Sequence, residues 1–84
     1  MTTYNGYESY DHWNTALWIN NDESMYNLLL NETEKAVYMQ QSLAQAVTNI
    51  MNSLPGKTPD GAEWQMMTVA DLVAEQYNEQ LQYS

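Results

Sequence analysis

Apolar positions recur every three or four residues through most of the chain, and each such run between turn residues predicts a helix. Over residues 11–20, Tyr10, Trp13, Ala16 and Leu17 share a face, while Trp18 and Ile19 point elsewhere. A short helix that is apolar nearly all round belongs at the centre of a small fold, so Trp13 is expected in the core. Ser9 or Asp11 is its cap. Asn20-Asn21-Asp22 interrupts the pattern, and a second helix near 22–30 buries Met25, Leu28 and Leu29. Asn31-Glu32-Thr33-Glu34 then reads as a capping box that opens a third helix near 32–54. The same residues also fit inside one continuous helix over 22–54; the break is the preferred reading.

The third helix carries Ala36, Val37, Leu43, Ala44, Val47, Ile50, Met51 and Leu54 on one half of its wheel. Gln40 falls in the middle of that half, as a buried amide with partners or as the place where the core ends. Leu54-Pro55-Gly56 stops the helix, and Pro59-Asp60-Gly61 marks a turn. Trp64 is expected to anchor this loop to the core. Thr68-Val69-Ala70-Asp71 resembles a second capping box and starts a last helix near 69–82, with Ala70, Val73, Tyr77 and Leu81 inward. Residues 1–9, with Tyr4, Gly6 and Tyr7, read as an arm that lays aromatics over the core. Strand signals are weak and confined to residues 4–7 and 64–67. The fold class expected is all-α: a single domain over residues 1–84, with four helices and an aromatic-rich N-terminal arm.

Composition narrows the chemistry. The 84 residues include 11 acids against 2 lysines, Lys35 and Lys57, giving a net charge of -9. There is no cysteine and no arginine, and His12 is the one histidine. No thiol can act as nucleophile or metal ligand, and no guanidinium can clamp a phosphate. With no Ser, Cys or metal partner at a recognisable spacing, His12 is read as a surface or capping residue. No EF-hand loop pattern occurs. No catalytic residue, metal site or cofactor is expected. A charge of -9 repels nucleic acid and anionic membranes, so direct binding to either is not expected. No basic, apolar leader opens the chain and no apolar run is long enough to span a bilayer, which points to the cytoplasm. Six methionines are read as core filler.

Most acids have a local reason. Asp22, Glu23, Glu32, Glu34, Asp60 and Glu63 lie at or before expected helix starts, where negative charge is favourable. Asp71, Glu75 and Glu79 do not. They stand at i, i+4 and i+8 on the last helix, with a rise of about 6 Å per step. No lysine relieves them. That spacing is close to that of phosphates along a nucleic-acid strand, so the row suits a basic groove on another protein; the plainer alternative is a solvated face. A second surface is the uncharged side of the third helix, with Tyr38, Gln41, Gln45 and Asn49, since interfaces deplete charge and enrich tyrosine.

Two stretches carry a family resemblance. Tyr4-Asn-Gly-Tyr-Glu-Ser-Tyr-Asp-His-Trp-Asn-Thr-Ala-Leu-Trp-Ile-Asn-Asn-Asp-Glu-Ser-Met-Tyr26 and Thr58-Pro-Asp-Gly-Ala-Glu-Trp64 resemble a family of small, uncharacterised proteins from bacteriophages and bacteria. The resemblance implies a phage or mobile-element setting and brings no catalytic residues. Small acidic proteins of that setting often inhibit host enzymes or defence systems. The function expected is therefore a non-enzymatic acidic module that binds and modulates a host protein, with a nucleic-acid-binding groove as the sharper target and DNA mimicry as the means. The alternative is a self-associating structural or accessory protein.

Overall fold

The computed structural model describes residues 4–82, which form α1 (Tyr10–Asn21), α2 (Glu23–Tyr38), α3 (Leu43–Ser53) and α4 (Met66–Gln82). The all-α fold expected from the periodicity is observed. α2 and α4 each pack against every other helix, whereas α1 and α3 do not meet. Ile19, Leu29, Ala46, Val47, Ile50, Val69, Leu72 and Val73 form the core, with Tyr26, Leu28, Met51, Leu54, Trp64 and Ala70 packed around it.

Capping residues set most boundaries. Ser9 Oγ accepts from the His12 N–H and opens α1. Asp22 serves both neighbours: its N–H donates to the Trp18 carbonyl, and its Oδ1 accepts from the Met25 N–H, 3.0 Å away. The arm begins with a tight turn in which Tyr4 and Tyr7 exchange two backbone hydrogen bonds of 2.8 Å. Asn5 and Gly6 both have positive φ, as an Asn-Gly hairpin turn requires. Residues 1–3 of the expected arm lie outside the described residues.

The expected break at Asn31 does not occur: α2 continues to Tyr38, and the chain turns at 39–42. Thr33 is fully buried, its Oγ1 donating to the Leu29 carbonyl, and Glu32 takes its partners from across the fold, so neither starts a helix. Gln40, exposed with φ +58, is where the core ends. α3 then opens at Ser42, whose Oγ accepts from the Gln45 N–H. Similarly, α4 begins at Met66, three residues earlier than expected. Thr68 is buried inside its first turn and caps nothing.

The buried side of α1 also departs from expectation. Asn14, Thr15, Ala16 and Ile19 face inward; Tyr10 is exposed, and Trp13 and Leu17 are half-buried. Two polar residues are in and the large aromatics are at the rim, because Asn14 and Thr15 carry hydrogen bonds to the opposite loop. Trp13 instead packs at a tilt against Tyr4 of the arm and Tyr10 of its own helix, with ring centres 4.9 Å and 5.7 Å away. Leu43 and Leu81, expected inward, are exposed. So are Met39, Met66 and Met67, at 71%, 61% and 69%, which overturns the reading of the methionines as core filler for these three.

Ile50 joins α3 to the core and is 1% exposed. Ile50→Ala should cost about 2–5 kcal/mol, much of the stability of a small domain. Trp13→Ala should cost less, because its ring packs on an exposed arm. Thermal or urea melts of the two variants check this ranking; a greater loss from Trp13→Ala would place the centre of the fold on the aromatic face of α1.

Candidate functional site

Three polar assemblies and one exposed acidic row hold the chemistry of the surface. The first assembly joins the loop before α4 to α1. A turn over residues 58–61 places Pro59 and Asp60 at its tip, closed by the Gly61 N–H on the Thr58 carbonyl at 2.8 Å. Gly61 has φ +88, a conformation that a side chain would strain. Thr58 is buried and holds the turn twice more: its N–H donates to the Ala62 carbonyl, and its Oγ1 accepts from the Ala62 N–H. Asp60 Oδ2 then accepts from Asn14 Nδ2 at 2.8 Å and from Trp18 Nε1 at 2.9 Å. These two bonds hold the Asp60 carboxyl below its ordinary value, against a smaller opposing effect of desolvation. Nearby, Thr15 Oγ1 donates to the Asp11 carbonyl and accepts from the Gln65 N–H at 3.0 Å, which fixes the entry to α4. Trp64 anchors the other side of the loop, its Nε1 donating to the Pro55 carbonyl at 2.7 Å. Asn14 Oδ1 is buried without a hydrogen bond, a cost that the rest of the clamp outweighs.

The second assembly surrounds Glu32, which is 6% exposed. Oε1 accepts from Gln41 Nε2 at 3.1 Å and from Asn49 Nδ2 at 2.9 Å; Oε2 accepts from Lys35 Nζ at 3.1 Å. Gln45 Nε2 donates in turn to Asn49 Oδ1. Burial alone raises the carboxyl's pKa. The hydrogen bonds from Asn49, Lys35 and Gln41, with the charge of Lys35, outweigh it and leave the pKa below the ordinary value. A buried charge is tolerated only when paired and hydrogen-bonded in this way.

The third assembly is local to the start of α1. His12 Nδ1 lies 2.7 Å from Ser9 Oγ, and Nε2 lies 3.6 Å from Glu8 Oε2. All three residues come from one turn of chain, and the Ser9 oxygen is already the helix cap. The arrangement orients the ring and closes α1.

The candidate partner residues fall into two groups. Gln41, Gln45 and Asn49 belong to the Glu32 network, so their amides are engaged within the chain. The signal for this was Glu32 itself, an acid at a position where the helical period calls for a buried residue. Tyr38 is 61% exposed and separate from them. Asp71, Glu75 and Glu79 are exposed along α4. Among the described residues the ion pairs are His12–Glu8 and Lys35–Glu32, and neither reaches this row. Glu79 meets Tyr38 at one place: both line a groove of about 370 Å³ between α2 and α4, with Glu34, Tyr26 and Leu30. Among the described residues no group of three or more His, Asp or Glu side chains is placed to hold a metal ion. None of their helices is long and apolar enough to cross a membrane.

Fold and surface together define a small, strongly acidic four-helix domain stitched by hydrogen bonds to two carboxylates, Glu32 and Asp60. The family of unknown function DUF7249 matches residues 1–83, and the chain belongs to that family. No curated protein matches it, and no solved structure does.

Glu32 and Asp60 both have lowered pKa values in the folded state. Their contribution to stability is therefore present above the ordinary values of 4.5 and 3.8 and is lost as pH falls through the folded values. Glu32→Gln combined with Asp60→Asn should lower the melting temperature at pH 7. The gap to the unmodified protein should begin to narrow as pH falls past the ordinary values of 4.5 and 3.8 and close only below the lowered folded values, where the native carboxyls are also neutral. Melts of both proteins between pH 7 and pH 3 check this. A gap that stays constant would show that neither ionised carboxylate supports the fold.

Proposed function

We propose that the protein is a non-enzymatic, phage-encoded acidic module that binds a host protein through the Asp71–Glu75–Glu79 row, with a nucleic-acid-binding groove as its target. The observation that carries this reading is the position of the row: it stands exposed on α4, outside the ion pairs found among the described residues, while two other carboxylates, Glu32 and Asp60, are committed to holding the fold. Like charges at i, i+4 destabilise a helix by a few tenths of a kcal/mol per pair. A row that costs stability and joins neither ion pair among the described residues is suited to an external cationic surface, and its rise of about 6 Å per step suits one that reads phosphates. The groove at its C-terminal end adds Glu34 and Tyr38 to the same surface. Gln41, Gln45 and Asn49 leave the proposed surface, because their amides serve Glu32.

Self-association as an accessory protein is the second reading, and the exposed Leu43, Met66 and Met67 favour it. The net charge of -9 opposes it at low salt.

The test is paired. The variant Asp71→Asn/Glu75→Gln/Glu79→Gln should melt at the same temperature as the unmodified chain or slightly above it. On an affinity column charged with host lysate, it should lose those proteins that duplex DNA displaces from the unmodified chain, because charge complementarity sets both their encounter and their salt dependence. Equal retention of the same proteins by both columns would leave the row as a solvated face.

A further inference from the structure

Of the three exposed methionines, Met39 stands alone at the end of α2, whereas the other two lie together. Met66 and Met67, exposed at 61% and 69%, line a groove of about 300 Å³ between α3 and α4 with Ala44, Val47, Thr48 and Ala70. Apart from the Thr48 side chain, whose Oγ1 donates to its own helix at the Ala44 carbonyl, the lining side chains are apolar. Methionine is unbranched and polarizable, and a shallow channel floored by it adapts to many apolar side chains.

The groove has two unlike banks. α3 carries no charged residue. On α4, Asp71 and Glu75 follow Met67 at i, i+4 steps, so the acidic ridge continues directly from the groove's own methionine, and Glu79 carries the ridge on toward the α2–α4 groove. From Met67 to Glu79 the row extends about 18 Å. An occupant must therefore offer an apolar stripe to the groove and positive charge along one side of that stripe. A helix has both: residues at i, i+3, i+4 and i+7 fill a groove, and the adjacent row carries the charge. A second copy of this chain lacks the charge, since it has two lysines, one of them held by Glu32.

We propose that the α3–α4 groove and the acidic row together bind a basic amphipathic helix of another protein, its apolar face on Met66 and Met67 and its lysine or arginine row on Asp71, Glu75 and Glu79. This rests on the reading of the acidic row as a partner surface and names the partner's chemistry. It also gives the groove a use that a flat, DNA-like ridge does not need.

The probe is a labelled synthetic peptide of leucine and lysine patterned as an amphipathic helix, roughly 14 residues or about 21 Å long. Its partner control has the same composition, scrambled to destroy the apolar stripe. Fluorescence anisotropy against the full chain should show the patterned peptide binding at least about tenfold more tightly than the scrambled one. Met66→Gln/Met67→Gln changes two exposed side chains and should melt like the unmodified chain while weakening the patterned peptide by about tenfold, the loss expected for one buried apolar side chain. Asp71→Asn/Glu75→Gln/Glu79→Gln should weaken it as well and flatten its salt dependence. Equal binding of the patterned and scrambled peptides, or no effect of the methionine pair, overturns the groove while leaving the acidic row as a charge-driven surface. Loss with the methionine pair but none with the acid triple overturns the basic partner and the acidic reading together. Sedimentation at rising concentration gives the last outcome: a dimer that the methionine pair abolishes would make a second copy the occupant and overturn the proposal.

Discussion

One carboxylate oxygen ties the loop between α3 and α4 to α1. Asp60 Oδ2 accepts from both Asn14 and Trp18, which are one helical turn apart on α1 and more than forty residues distant in sequence. The loop between α3 and α4 has few apolar residues with which to bury itself, so its position depends on these two charge-assisted bonds, on Trp64 and on Thr58 within it. Where the loop is placed, α4 starts, because the Gln65 N–H ends on Thr15 of the same face of α1. The direction of α4 in turn decides that Val69, Leu72 and Val73 face the core and that Asp71, Glu75 and Glu79 face outward.

The same physics recurs at Glu32. In both assemblies a carboxylate gathers neutral amide or indole donors, and a chain with two lysines and no arginine has few other ways to satisfy its acids. Its nine asparagines and seven glutamines are in part the donors for that purpose: Asn14 serves Asp60, and Gln41 and Asn49 serve Glu32. The Asn49 amide of α3, with Gln45 bonded to it, is thus part of the internal wiring. This separates Glu32 and Asp60, which support the fold, from Asp71, Glu75 and Glu79, which join neither assembly.

The helices were legible where capping and periodicity agreed. Asp22, the Pro55-Gly56 stop and the apolar period of Val47, Ile50 and Leu54 each matched the structure. The junction of α2 and α3 was misplaced because Asn31 and Glu34 resemble a cap, while the true stop is Gln40 in a left-handed conformation that its residue type does not announce. The signal that was present, Ser42 followed by Gln45, is itself a capping pair. The face of α1 was misread for a different reason. A hydrophobic count places Trp13 and Tyr10 inward, but Asn14 and Thr15 are buried by partners that lie beyond residue 57, and no local pattern reveals a long-range hydrogen bond. The opening stretch and the 58–64 loop meet at Asp60, where folding accounts for Asn14, Trp18 and Asp60. The acidic row was legible in full, since it needs only helical spacing; the groove was not, since it needs the packing angle of two helices.

The central claim is that the Asp60 bonds couple the loop to α1, and a double-variant cycle tests it most directly. Asn14→Ala, Asp60→Ala and the combination would be melted in urea under one set of conditions. If the two residues act through one bond, the losses overlap, and the combined variant is clearly more stable than the sum of the single losses implies. Simple addition of the two losses would contradict the account, leaving Asn14 as a packing residue and Asp60 as a solvated loop acid.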